Sequence, residues 1–160
     1  MYKVLFAATA IFLLSCSTTR YYIVRHAEKE AAVTMTTDVP LSAEGKQRAE
    51  SLRDLLVKEK IRRIYSTNFI RTKATAQPLA DAKGIAMEVY DAGDTSFFTR
   101  LKAENSDILV VGHSNTVDDL VNKFMGEKLL NDLPDSQYGD LFVISRKGNR
   151  YQFERRHFGK

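Results

Sequence analysis

Three short stretches hold the side chains best suited to chemistry: Arg25-His26, Arg71 and Gly112-His113-Ser114-Asn115. Each follows a stretch that reads as a strand: Tyr21-Tyr22-Ile23-Val24, residues 61–66, and Ile108-Leu109-Val110-Val111, the first and last of them apolar. Guanidinium forks match the oxygens of a tetrahedral oxyanion, and each charge-assisted hydrogen bond is worth roughly 1.5–3 kcal/mol. An imidazole with a reference pKa of about 6.5 can attack or donate near neutral pH. Two Arg, two His and a helix N-terminus in one place would hold a phosphate-like dianion. A metal site is the rival use of His26 and His113. It lacks the carboxylate or Cys company a metal takes, and flanking Arg would repel a cation, so no metal is expected. Ser114 lacks the Gly-x-Ser-x-Gly elbow of a serine nucleophile. It reads instead as a phosphate contact and, with Asn115, as a candidate cap of the next helix.

These residues converge only if the apolar runs are neighbouring parallel strands with the polar groups at their carboxyl ends, where open α/β sheets bind ligands. The pattern fits that requirement. Strands are expected at residues 20–25, 61–66, 86–90 and 108–111, and a hairpin of two more at 140–145 and 151–157. Helices are expected from a Ser42 N-cap through Lys58, over 69–83, over 95–105, and after Asn115, where Val117, Leu120, Val121 and Phe124 share one face. Thr67-Asn68 can cap the second helix, Gly84 should end it, and Pro78 should kink or break it. Residues 28–40 and 126–139 read as polar connections. The fold class is α/β: a three-layer α/β/α sandwich around a mostly parallel sheet.

With 160 residues, 44% apolar and 28% charged, the chain suits one domain with a sizeable core. Its net charge of +4 suits an anionic ligand. The basic residues are scattered among acids, which argues against nucleic-acid recognition. Residues 4–14 form an apolar run behind Lys3, too short to span a bilayer, and end at Leu13-Leu14-Ser15-Cys16. This resembles a bacterial lipobox. It implies a signal peptide at 1–15, lipidation of Cys16, a tether at 16–20 and a domain at 21–160. The protein would then be exported and membrane-anchored on the periplasmic or cell-surface side. Cys16 is the sole cysteine, so no intrachain disulfide forms.

Taken together, Arg25-His26-Ala27-Glu28, Pro40-Leu41-Ser42-Ala43-Glu44-Gly45, Ser66-Thr67-Asn68 with Arg71-Thr72-Lys73-Ala74-Thr75-Ala76, and Val111-Gly112-His113-Ser114 resemble the motifs of the histidine phosphatase (phosphoglycerate mutase-like) superfamily, in that family's order. The resemblance implies a phosphoglycerate mutase-like fold and metal-independent hydrolysis of a phosphate monoester or other phosphorylated substrate, a small molecule or a phosphoprotein, without a cofactor. His26 would become phosphohistidine. Arg25, Arg71 and His113 would hold the phosphoryl group. Ala27 stands where Gly is most usual. The family's general acid has no clear counterpart. Asp94, in a turn after the third strand, is the first candidate, with Asp91 and Glu28 behind it. A phosphomutase and a non-catalytic phosphate- or glycan-binding lipoprotein are the alternatives.

Overall fold

The computed structural model describes residues 18–31 and 38–159. The expected signal peptide at 1–15 and Cys16 therefore lie outside the described residues. Six strands and four helices follow one another in the order β1 (Thr18–Arg25), α1 (Ala43–Leu56), β2 (Ile61–Thr67), α2 (Ile70–Lys83), β3 (Met87–Tyr90), α3 (Phe97–Ala103), β4 (Asp107–Gly112), α4 (Ser114–Met125), β5 (Asp140–Lys147) and β6 (Arg150–His157). They form one sheet ordered β3-β2-β4-β1-β5-β6. The first four of these strands pair in parallel, whereas β5 pairs antiparallel with both β1 and β6.

Alternation along the strands sends side chains into two cores. Tyr22, Val24, Ile64, Leu109 and Val111 face Leu52 and Leu56 of α1 and Leu79 of α2. Tyr21, Ile23, Ile108 and Val110 face Phe97 and Leu101 of α3 and Val117, Val121 and Phe124 of α4. The sandwich is thus three layers deep. β4 is buried along its whole length, as its apolar run requires of a central parallel strand.

Three local expectations change. β1 starts at Thr18, because Thr18, Thr19 and Arg20 pair with Lys147, Arg146 and Ser145 of β5. Three residues assigned to the tether therefore belong to the sheet. Pro78 lies inside α2 without dividing it. Capping also differs. Ser42 caps α1 as expected, its hydroxyl accepting from the Gly45 N–H. For α2, however, Phe69 is the N-cap residue and the Ile70 N–H donates to Asp38 Oδ1 at 2.8 Å, so a loop carboxylate does what Thr67-Asn68 was expected to do. For α4 the N-cap is His113 itself, its N–H donating to Thr116 Oγ1, and Ser114 is the first helical residue.

Two glycines press elements against the strand ends. A Cβ on Gly45 would collide with the Glu28 carbonyl oxygen, which already accepts the Ser42 N–H at 2.9 Å. The start of α1 can therefore lie directly on the segment that follows His26. On Gly112 a Cβ would come within 2.8 Å of both Thr116 Oγ1 and Tyr90 Oη, which crowd the turn into His113.

Candidate functional site

The register fixes where the polar groups gather. Arg25 pairs with Gly112, and the His26 N–H donates to the Gly112 carbonyl at 2.9 Å. The ends of β1 and β4 therefore release His26 and His113 side by side, with ring centroids 5.6 Å apart. β2 lies on the far side of β4, and α2 springs from its end with Arg71 in the first turn. Arg25, His26, Arg71, His113 and Ser114 all line one cleft of about 690 Å³ at the carboxyl edge of the sheet. The α4 N-terminus opens onto it through Ser114 and Asn115.

His26 is buried, and its Nδ1 lies 2.7 Å from the Ala27 carbonyl oxygen. A carbonyl only accepts, so Nδ1 carries the proton and Nε2 keeps its lone pair. Burial lowers the His26 pKa to about 3; the Ala27 bond opposes it, and the positive charge of Arg25 and Arg71 adds to it. His113 is brought down to about 4 by burial and by Arg71 and Arg25. Both rings are neutral at pH 7.

A threonine relay sets the second ring. Thr72 Oγ1 donates to the Thr67 carbonyl at 2.9 Å, and Thr67 Oγ1 donates to Thr72 Oγ1 at 3.1 Å. The Thr67 oxygen is left to accept from His113 Nε2, 2.9 Å away. This assigns the proton of neutral His113 to Nε2 and turns Nδ1 toward Arg71 Nη2, 3.4 Å away. Donation from Nδ1 to a bound oxyanion then needs a second proton, which a dianion favours and Arg71 opposes.

Arg25 is buried and held from the connection before β5. Nη1 donates to the carbonyls of Pro134 and Gln137 at 2.8 and 3.1 Å, Nη2 meets Asp135 at 3.3 Å, and the Tyr138 ring lies 4.5 Å away. Its buried Nε has no hydrogen-bond partner among the described residues, as a donor awaiting an anion would. Arg71 stacks on Phe69 at 4.5 Å and lies 3.9 Å from Asp38.

The three candidate acids separate. Asp94 does not line this cleft. It accepts from Ser96 and pairs with Arg100 at 2.7 Å, and those bonds lower its pKa to about 2, so it is ionised and turned elsewhere. Glu28 is also absent from the cleft wall. Burial would raise its carboxyl, but the Arg48 guanidinium, 2.7 Å away, outweighs this and holds it below the usual range. Asp91 does line the cleft, exposed at its rim. Thr67, Phe69, Asp135 and Tyr138 were missed in the sequence. The last two lie in the 126–139 connection, whose composition carries no periodic signal, while Thr67 reads in the sequence as a cap and as part of a motif, with no role in the site.

The two depressed imidazoles make stability pH-dependent. In the unfolded chain they take up protons near pH 6.5, whereas the native rings resist to about pH 3–4. The unfolded state therefore binds more protons over that window, and stability falls as pH drops through it. Melting temperature should decline from pH 7 to pH 4, less steeply in His26→Ala, and saturating phosphate should flatten the decline. An identical slope in His26→Ala would show that the ring does not contribute.

Residues 21–92 match the family profile of the histidine phosphatase superfamily (branch 1). No curated protein sequence matches the chain. Among solved structures, the protein histidine phosphatase SixA complexed with tungstate aligns with a TM-score of 0.70 at 19% identity, covering 87% of this chain and 97% of its own. A protein of Agrobacterium tumefaciens assigned as the phosphohistidine phosphatase SixA aligns at 0.69 and 24% identity, with 89% and 98% covered. A mycobacterial glucosyl-3-phosphoglycerate phosphatase aligns at 0.66 and 14% identity, with 86% and 98% covered.

Proposed function

We propose that the chain, whose residues 21–92 match the histidine phosphatase superfamily profile, is a metal-independent phosphohydrolase working through a phosphohistidine on His26. The observation that carries this reading is the 2.7 Å contact of His26 Nδ1 with the Ala27 carbonyl. It leaves an unprotonated Nε2 in the same cleft as Arg25, Arg71 and His113.

The phosphoryl group sits among Arg25, Arg71 and His113, beside the α4 N-terminus. Nε2 of His26 attacks phosphorus in line. An N–P bond forms, the bond from phosphorus to the leaving oxygen breaks, and Asp91 gives that oxygen a proton. Water then attacks the phosphohistidine, its proton returning to Asp91, and the N–P bond breaks to release inorganic phosphate and neutral His26. Little covalent help is needed. Positioning and neutralisation of the equatorial oxygens supply most of the catalysis.

The substrate is a phosphorylated small molecule or a phosphoprotein side chain. The cleft is open, with Phe69, Val89 and Tyr90 offering an apolar wall to the leaving group. Hydrolysis of an aryl phosphate, inhibited by tungstate, is the direct test. Tight tungstate binding without turnover would make the protein a phosphate binder and end the enzyme reading.

Asp91→Asn separates the acid from the rest. A general acid contributes about 10²–10⁴-fold where the leaving group is poor. Turnover of alkyl phosphates should fall by that order while aryl phosphates change little. Equal loss on both would remove Asp91 from proton transfer.

The protein is further proposed to be an exported lipoprotein, cut before Cys16 and lipidated there. Support comes from the apolar run at 4–14 ending at the sole Cys, and from a sheet that begins at Thr18 with only Ser17 between. Cys16→Ser should remove the lipid mass and leave a protein that high salt releases from membranes. A variant of unchanged mass that stays membrane-bound in high salt would contradict it.

A further inference from the structure

We propose that the end of the sheet opposite the cleft is a docking surface for an anionic lipid bilayer, which holds the catalytic cleft facing away from the membrane. The starting point is polarity. β1 runs from Thr18 to Arg25, so the chain enters the domain at one end of the sheet and reaches the cleft at the other. Seven residue steps at about 3.3 Å put these ends roughly 23 Å apart.

The entry end is made of strand starts, helix ends and the last hairpin. Thr18 pairs with Lys147, Lys147 with Arg150, and Ile61 with Asp107. Six cations are exposed there: Lys58, Lys60, Arg62, Lys102, Lys147 and Arg150. Three acids of the same end are turned inward or already matched, whereas Asp81 and Glu127, beside the ends of α2 and α4, are exposed. Asp107 is buried against Arg20, accepting its backbone N–H at 2.7 Å. Glu59 accepts the Tyr22 hydroxyl at 2.8 Å, and Glu104 pairs with Arg63 at 3.2 Å. Across the strand starts and the hairpin, where Lys60, Arg62, Lys147 and Arg150 lie, the face shown to solvent is therefore positive.

The ordinary reason for such cations is compensation of helix dipoles, and it accounts for some of them. Lys83 donates to the Val57 and Glu59 carbonyls beyond the end of α1, and Lys102 lies in the last turn of α3. Lys60, Arg62, Lys147 and Arg150 lie in strands or a loop with no helix end to compensate.

The occupant follows from the chain ahead of Thr18. The apolar run at 4–14 is separated from Thr18 by only three residues, a reach of at most about 14 Å. Whatever apolar phase receives that run, or a lipid placed on Cys16, the basic end lies next to it. That is close to the Debye length of about 8 Å over which surface charge acts. Each Lys or Arg near an anionic bilayer strengthens binding about fivefold. The electrostatic contact does not depend on lipidation or on phosphatase activity. With the phosphatase reading, however, it implies substrates dissolved in the compartment and not headgroups of the surface to which the protein is bound.

The test uses residues 17–160, which contain every strand, both cores and the cleft. Sedimentation with phosphatidylcholine–phosphatidylglycerol vesicles should show binding that salt abolishes and that pure phosphatidylcholine does not support. Lys60→Glu/Lys147→Glu should weaken binding by about 25-fold or more. A charge-matched pair at the cleft end, Lys46→Glu/Lys73→Glu, should weaken it far less. Melting curves establish that each variant is folded, and Lys60→Gln/Lys147→Gln replaces the first pair if it is not. Equal loss in the two pairs would reduce the effect to net charge and overturn the proposal. So would equal binding to neutral vesicles, or equal affinity for duplex DNA at the same ionic strength. A protein that binds vesicles but hydrolyses nothing would leave the surface standing and remove the phosphatase reading alone.

Discussion

His26→Ala should lower aryl phosphate turnover by about 10⁴-fold or more and leave the fold intact. Loss of a nucleophile removes the two-step route altogether, and what persists comes from positioning of water by the remaining groups. The structural cost is small. His26 contributes one side-chain bond, to its neighbour Ala27, and its backbone N–H to Gly112 remains. Phosphate or tungstate binding should survive, because Arg25, Arg71 and His113 are untouched. The variant therefore separates binding from chemistry. Turnover within tenfold of wild type would place the nucleophile elsewhere, and loss of tungstate binding together with turnover would make His26 a binding group.

Arg71→Ala is expected to cost about 10³-fold or more in turnover, the scale of losing a cation aimed at charge that develops on a transferring phosphoryl group. Arg71 is anchored on the first turn of α2, 3.4 Å from His113 and stacked on Phe69. Its charge has two effects. It attracts the dianion, and it keeps both imidazoles neutral before the dianion arrives. The helix does not need it. α2 is secured by Ala76, Leu79 and Ala80 in the core and ends on left-handed Gly84, and Ala is the better helix former. The melting temperature should hold and the His113 pKa should rise. Arg71→Lys should recover only part of the rate, since an ammonium lacks the planar fork. An unfolded Arg71→Ala, or one with full turnover, would make Arg71 structural.

The sheet and the four-residue cluster were legible because each signal is local and repeated. An apolar run ending in Arg-His or Gly-His specifies both the strand and the side chains released at its end. Parallel pairing of β1, β2 and β4 then brings Arg25, His26, Arg71 and His113 together. The acid was not legible in this way. Asp91 and Asp94 sit three positions apart in one turn, and composition cannot tell which faces the cleft. Arg100, one helical stretch later, claims Asp94. Glu28 looked available beside His26, until the fold brought Arg48 of α1 against it. The groups that hold Arg25 were hidden for another reason. Pro134, Asp135, Gln137 and Tyr138 belong to an irregular connection and act partly through backbone carbonyls, which have no sequence signature. The same holds for Asp38, which caps α2 across a long loop. Pro78 does not break α2 in two; buried Thr75, Ala76, Leu79 and Ala80 on either side of it hold one continuous helix.

Rapid quenching of wild-type enzyme with labelled substrate tests the central assignment most directly. An acid-labile, base-stable phosphoenzyme should form before phosphate is released, with the label on Nε2, since Nδ1 of His26 is committed to the Ala27 carbonyl. It should vanish in His26→Ala and persist, formed more slowly, in His113→Ala. Label retained in His26→Ala and absent from His113→Ala would reverse the two roles and contradict the mechanism.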